Sequence, residues 1–381
     1  MSDTFALGSF LERWSPQIQH DLSGSEAATL TLPALLELAE AEDRERWETL
    51  GLGYADPHGA AWLRSAIAER YDTLDEANIV CCAGAQEALT SVVRALLAPD
   101  DHAVVVVPIY QPSERAIISI CAATGVPLES GSVWYLDVDR VASALRSNTR
   151  LVLMNFPNSP TGVSIDPATL AALVALCRRH GIWLVNDEVY GLVDLDSRLR
   201  SPRLADIYER GVSINAVSKG LGLPGLRVGW VACQDQRLLT EVQAARNILS
   251  GCLAAPSEVL AHIALLAEAR IVERSRAILE SNRRTLELLL ARHLDIFERP
   301  AFGKAAFVYL RFLGAGGVER FALELAQEAG VLVLPSGLWQ SSLAQVMGNR
   351  LRIGLGRVGA GTALQALSGY LASRPGLAAA S

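Results

Sequence analysis

Lysine is almost missing from this chain. Of its 34 basic side chains only two are lysines, Lys219 and Lys304, which leaves thirty-two arginines. Where positive charge alone is wanted, Arg serves. What Arg cannot do is lose its proton and attack a carbonyl, because its guanidinium stays charged while a buried Lys shifts its pKa readily. Lys219 falls in "SINAVSKGLGLPGLRVGW", Ser213 to Trp230, where an apolar strand runs into a small-residue turn. A lysine kept at that place points to chemistry. The plainer reading it must displace is a solvated side chain at a helix start.

Other absences narrow the classes. No Lys/Arg-rich run offsets the formal net charge of −7, which argues against nucleic acid as a partner. The six cysteines form no C-x-x-C pair and several sit inside apolar runs, as reduced core thiols of a cytoplasmic protein do. The six histidines show no ligand spacing, so no metal is expected. The opening "MSDTFALGSFLERWSP" lacks the basic-then-apolar order of a signal peptide, and no apolar run reaches the roughly 18 residues of a membrane helix. The expectation is a soluble cytoplasmic protein with no membrane partner.

What is present is a globular composition, half hydrophobic and one-fifth charged, over 381 residues, long enough for two domains. The middle of the chain alternates short apolar runs with helical patterns. "AVVVVP", "LVLMNF", "IWLVND", "VSINAV" and "RVGWVAC" are continuous rather than alternating, which suits strands covered on both faces. Between them lie segments such as "PATLAALVALCRRH", with Pro167 in the first turn, Leu170, Leu173, Val174 and Cys177 on one face and basic residues closing the end. This predicts an α/β fold: a large domain with a mostly parallel sheet flanked by helices, plus a smaller α+β domain. The expected division puts residues 46–257 in the large domain and residues 1–45 and 258–381 in the small one.

Ligands of open parallel sheets bind beyond the carboxyl ends of the strands, so the residues just after each strand carry the argument. "NDEVYG" places Asp187 and Tyr190 there, "PNSPTG" places Asn158 and Ser159, and "PIYQP" places Tyr110. "CCAGAQEALTSVVRALL" opens a helix at Gly84, Ala85 and Gln86, whose backbone N–H groups make a ready phosphate cradle. Ser218, Lys219 and Arg227 follow the next strand. An amine, a carboxylate, two phenols, an anion cradle and a guanidinium are together the set that pyridoxal phosphate uses. The Lys forms its imine, and the acid keeps its ring nitrogen protonated so that the ring draws electrons from the amino acid's α-carbon.

The order and spacing of these residues carry a resemblance. "D-x-x-Y" is matched by Asp187 and Tyr190. "S-K-x-x-x-x-P-G-x-R-x-G" is matched by Ser218, Lys219, Pro224, Gly225, Arg227 and Gly229. "Y-x-x-x-x-G-x-x-x-L-R" is matched by Tyr54, Gly59, Leu63 and Arg64, "G-A-x-E-A-L" by Gly84 to Leu89, and the late "R-[IL]" by Arg352 and Ile353. Over nearly its full length the chain resembles the fold-type-I pyridoxal-phosphate enzymes, specifically the class I/II aminotransferases. The resemblance implies the aspartate-aminotransferase-like fold, pyridoxal 5'-phosphate, and transfer of the amino group of an L-amino acid to a 2-oxo acid. It also implies that Arg352 grips the substrate carboxylate, and that Tyr54 reaches the partner's cofactor phosphate in a homodimer.

Two positions depart from the family pattern. "SPTG" puts Ser159 where an Asn donates to the cofactor's 3-oxygen, with Asn158 next door, and Ala216 stands where many relatives have a phosphate-binding Ser. Both leave room for another reaction on an amino acid, a cyclisation, elimination or oxidation of specialised metabolism. A non-catalytic, cofactor-binding regulator is the reading from another class; the intact Lys/Asp/Tyr/Arg set argues against it. Plainer readings compete residue by residue. Asp187 is also a common helix cap, Tyr110 also suits turn packing, Tyr54 a core aromatic, and Arg352 one more surface arginine.

Overall fold

The computed structural model describes residues 5–131, 133–191, 202–298, 300, 305–374 and 377. Lys304 lies outside the described residues. Seven strands form the main sheet: β1 (Ile79–Cys82), β2 (His102–Val107), β3 (Ala122–Pro127), β4 (Thr149–Asn155), β5 (Trp183–Asp187), β6 (Gly211–Ala216) and β7 (Gly229–Cys233). Their order is β1-β7-β6-β5-β4-β2-β3, and only β7 runs against its neighbours. The apolar runs are continuous because both faces are covered. Val104 and Val106 of β2 pack with Val152, Met154 and Leu184 on one face, while Val105 and Val107 pack with Leu151, Leu153 and Val185 on the other.

Helix α1 (Ala6–Trp14) precedes the sheet; helices α2 (Ala85–Leu96) and α3 (Pro167–His180) fall between strands, and α4 (Gln236–Leu249) follows β7. Leu89 and Val92 of α2 and Leu238 and Val242 of α4 fill one side of the sheet, and Leu170, Leu173 and Val174 of α3 the other. The ends of α3 follow from local chemistry. The Asp166 carboxylate accepts the Thr169 amide at 2.9 Å, Pro167 takes the first turn, and Gly181 at φ 64° closes the helix in the left-handed region.

The rest of the chain builds a second core. Helix α5 (Ala255–Leu266) leads into the long α6 (Glu268–Arg292), and a small antiparallel sheet of β8 (Phe307–Arg311), β9 (Leu334–Pro335) and β10 (Arg350–Gly354) follows in the order β8-β10-β9. With α7 (Val318–Ala329) and α8 (Ala360–Ala372) it encloses Leu279, Leu286, Phe297, Phe312, Phe321, Leu351 and Leu367. The division between the two cores differs from the expected one. Val259, Leu260 and Ile263 of α5 pack with Leu63, Ile67 and Trp230, and so do Leu35 and Ala39. The apolar face of α5 therefore belongs to the large core, and the small core gains its first long helix only at α6. A helical pattern in sequence tells which face is apolar and says nothing of which core receives it.

The N-terminal segment joins the two. His20–Asp21 pairs in parallel with Val331–Leu332 of the small unit. A few residues later, the Ala27 amide donates to the Lys219 carbonyl of the large one at 2.8 Å. That crossing sets the geometry of the site.

Candidate active site

The parallel strands and the reversed β7 bring their chemistry to one edge. β5 ends at Asp187, in register with Asn155 at the end of β4. β6 ends at Ala216, opposite Gly229 at the start of β7. Because β7 is antiparallel, Arg227 precedes its strand yet reaches the same edge as residues that follow theirs. The edge opens into a cavity of about 330 Å³ that is lined by Lys219, Asp187, Tyr190, Tyr110, Ser159, Arg227 and Arg352, and also by Ala85, Gln86 and Ser218.

Asp187 lies at the floor. Burial pushes its carboxyl up to about 7, against the Val189 amide and the charge of Lys219, which pull it down. Val189 and Ala216 put apolar surface beside it. Tyr190 is buried, packs edge-on against Phe307 at 5.3 Å, and donates from its phenol to Ser25 Oγ at 3.3 Å. Lys219 Nζ donates to the same Ser25 oxygen at 3.0 Å. Tyr110 packs edge-on against Phe5 at 5.2 Å, and burial raises its phenol above the ordinary value.

The cradle is built by close approach. Helix α2 begins at Gly84 with φ 92° and no side-chain cap. A Cβ on Gly84 would run into the Arg227 guanidinium, and one on Gly229 would lie 2.6 Å from the Ala85 amide nitrogen. Both glycines are needed so that β7 and Arg227 can lie against the start of α2. Arg227 itself takes φ 54°, with its guanidinium donating to the Pro224 carbonyl at 2.9 Å and the Ala83 carbonyl at 3.3 Å. An uncapped helix start beside a held guanidinium fits a phosphate.

Arg352 is the most informative side chain. It is 4% exposed, sits over the Trp339 and Phe307 rings, and donates to Ser159 Oγ at 3.1 Å and the Ser23 carbonyl at 2.7 Å. Burial pulls its guanidinium below the ordinary value. No carboxylate of the described residues forms an ion pair with it, and its Nε has no hydrogen-bond partner. A buried cation left without a counter-charge at a cavity wall fits an incoming carboxylate. The surface reading of Arg352 is thereby corrected.

Two expected residues stand elsewhere. Asn158 is fully buried beside the cavity, but its amide donates to the Pro108 carbonyl at 3.0 Å and its oxygen accepts from Thr161, so it braces the loop. Asn155 lines the cavity instead, holding the Ser159 amide at 2.9 Å. Tyr54 is wholly exposed (101%) and lies outside the cavity, which removes it from the core. Among the residues missed, Asn155, Ser25, Glu26 and Arg357 line the cavity as well. Asn155 had a signal, as the one polar residue in the run "LVLMNF". Of the other three, Ser25 and Glu26 lie on the N-terminal segment that joins the two cores and Arg357 just after β10, far along the chain from the residues they meet.

Residues 19–358 match the family model for aminotransferase class I and II. The chain belongs to that family. An arginine–pyruvate transaminase, AruH of Pseudomonas aeruginosa, is 37% identical over 186 residues, 47% of each chain, so the match spans about half that relative's length. Capreomycidine synthase of Streptomyces vinaceus is 31% identical over 300 residues, 77% of this chain and 73% of the relative. Among solved structures, a PLP-dependent aminotransferase from Streptococcus suis superposes with TM-score 0.89 over 97% of both chains at 24% identity. The PLP-dependent cyclase OrfR superposes with TM-score 0.83 over 98% of both chains at 27% identity. The fold is that of the aspartate aminotransferases, and the cofactor of this aminotransferase is pyridoxal phosphate. The cradle, the buried carboxyl of Asp187 and the amine of Lys219 fit it.

Proposed function

We propose that this aminotransferase moves the amino group of an L-amino acid to a 2-oxo acid, with Lys219 as the residue that carries the cofactor and then the proton. One observation carries the reading: the amine of Lys219, the Asp187 carboxyl and the Arg352 guanidinium, from three different elements, open on the same cavity. When bound, pyridoxal phosphate supplies an aldehyde for the amine and a protonated ring that takes up the electron pair left on the α-carbon.

The chain's residues do the rest. Past the turn at Gly84, whose own amide donates to the Cys82 carbonyl at 2.7 Å, Ala85 and Gln86 would present the first-turn amides of α2 to the phosphate, with Arg227 adding charge and Ser218 lining the same cavity. Asp187, its carboxyl raised by burial to about 7 and so near half-protonated at neutral pH, would serve as the counter-ion of a protonated ring nitrogen. Tyr190 and Tyr110 line the same cavity, and Arg352 would hold the substrate carboxylate. With the cofactor bound, Lys219 Nζ would be the base that takes the substrate's α-proton and the acid that gives it back. Cytoplasmic residence, the absence of nucleic-acid and membrane partners, and a homodimer belong to the same reading.

The test is an amino-donor screen of the loaded enzyme with pyruvate as acceptor, products identified by mass. Arginine heads the panel, because a 37%-identical relative is named for that reaction. A 2-oxo acid formed with stoichiometric alanine supports transamination. Borohydride reduction and peptide mapping should put the adduct on Lys219, one of only two lysines in the chain; an adduct on Lys304 overturns the assignment. A second reading has its own observation. Ser159 is spent on Arg352, and no amide stands at that position, and one relative and one structural neighbour are named as a synthase and a cyclase. A product that retains the donor's nitrogen, with no alanine formed, decides for it.

A further inference from the structure

The Lys219 amine has one close partner among the described residues, and that partner comes from the other half of the molecule. Ser25 Oγ lies 3.0 Å from Lys219 Nζ and accepts from it. The same oxygen accepts from the Tyr190 phenol at 3.3 Å. Glu26, the nearest carboxylate, stands 4.0 Å away and is committed elsewhere. One of its oxygens takes Arg357 Nε at 2.7 Å and the other takes the Ser25 amide at 3.0 Å. Burial pushes the Glu26 carboxyl up, yet the charges of Lys219 and Arg357 outweigh this and hold it below its ordinary value.

Ser25 is held as firmly as a residue on a strand. Its neighbour Ala27 donates from its amide to the carbonyl of Lys219 itself at 2.8 Å. Gly222, on the lysine loop, leaves no room for a Cβ beneath the Ala27 and Ala28 carbonyls (2.7 and 2.8 Å). Gly354 and Gly356 pack as closely under Gly24 and Glu26. Arg357 ties Glu26 to Asp21. The hydroxyl and the amine therefore share one rigid frame, although 194 residues of chain separate them.

We propose that Ser25 is the positioning residue for Lys219, its hydroxyl gathering the amine and the Tyr190 phenol on one oxygen so that the freed lysine keeps a single aim toward the α-carbon. A lysine side chain is a point charge on a flexible four-carbon stem. An acceptor at a fixed place removes much of that freedom before the proton moves, and misplacement by about 1 Å can cost 10²-fold in rate. Ser25 acts through Lys219 and does not itself exchange a proton with the substrate. The assignment rests on the reading of Lys219 given above.

The test uses the loaded enzyme with Ser25→Ala and Ser25→Thr. In the Ala variant kcat should fall roughly 10- to 100-fold with KM for the donor nearly unchanged. Deuterium at the donor's α-carbon should then slow turnover more than in the parent, and Thr, which keeps the hydroxyl, should restore most of kcat. A second readout needs no turnover. Cofactor-free protein is mixed with pyridoxal phosphate and quenched with borohydride at intervals, and the Lys219 peptide is weighed. Attachment should slow several-fold in the Ala variant and reach the parent's final extent. Parental kcat and attachment rate in Ser25→Ala overturn the proposal, as does a loss carried wholly by KM or one that Thr does not restore. An adduct away from Lys219 in the parent itself overturns the underlying reading and the role of Ser25 with it.

Discussion

At the scale of single residues, burial decides what Asp187 can do. Its carboxyl stands near 7 in the folded cofactor-free chain against an ordinary 3.8, because desolvation outweighs the Val189 amide and the Lys219 charge. Between those two values the folded chain binds a proton that the unfolded chain has lost. The contribution of Asp187 to stability is thus whole below about pH 4 and is lost as the pH rises through 7. Asp187→Asn cannot ionise and escapes that loss. In cofactor-free protein the variant should gain on the parent between pH 5 and pH 8 when melting temperatures are compared. A difference that does not change with pH would show that Asp187 is not the desolvated group described here. The sequence named this residue from its place after an apolar run, and Lys219 from its scarcity. The contact of Lys219 with Ser25, 194 residues away, and the turn of Asn158 into its own loop are set by the fold and not by any local pattern.

The next scale is the element, where the sequence was most legible. Strands covered on both faces write themselves as continuous apolar runs, and α3 writes both its ends. The reversal of β7 was not written. A buried antiparallel strand has the same apolar character as a parallel one, and only the sheet shows that Arg227 reaches the cavity edge from the strand's start. The junction of β7 with α2 is also where the cradle can be tested. Gly84→Ala puts a Cβ at φ 92° and into the Arg227 guanidinium. The backbone cost alone is about 1–3 kcal/mol, to which the displacement of the guanidinium from its place is added. The expected result is cofactor binding weakened at least tenfold, measured by fluorescence titration of the cofactor-free protein, with the melting temperature lowered by only a few degrees. Unchanged affinity would mean that the phosphate sits elsewhere.

Over the whole molecule, the unexplained feature is an exposed loop. Tyr54 is fully exposed and Leu52 84% exposed, an unusual cost for two large side chains in one short stretch. The stretch is not loose at its far end, since the Pro57 carbonyl accepts from Gln243 at 2.7 Å and from Arg246 at 2.6 Å. The same helix, α4, ends by exposing Ile248 and Leu249. Apolar side chains held outward by buried polar anchors suit a surface that another copy covers. The cradle gives a reason for that copy. Ala216 supplies only a methyl there, and Arg227 spends two donors on the Pro224 and Ala83 carbonyls. A doubly charged phosphate therefore gains from a phenol brought from outside. A symmetric dimer would bring Tyr54 to each site reciprocally. Two inactive or weakened variants, Lys219→Ala and Tyr54→Ala, can be mixed under conditions that exchange subunits. In a mixed dimer, the subunit that keeps its own Lys219 receives an intact Tyr54 from its partner, and the other site lacks both. Equal mixing should then restore about a quarter of the parent's sites, read as activity. No gain after exchange has been confirmed by mass, or full activity in a monomer, would leave Tyr54 a surface side chain and require the phosphate to be held by one chain alone.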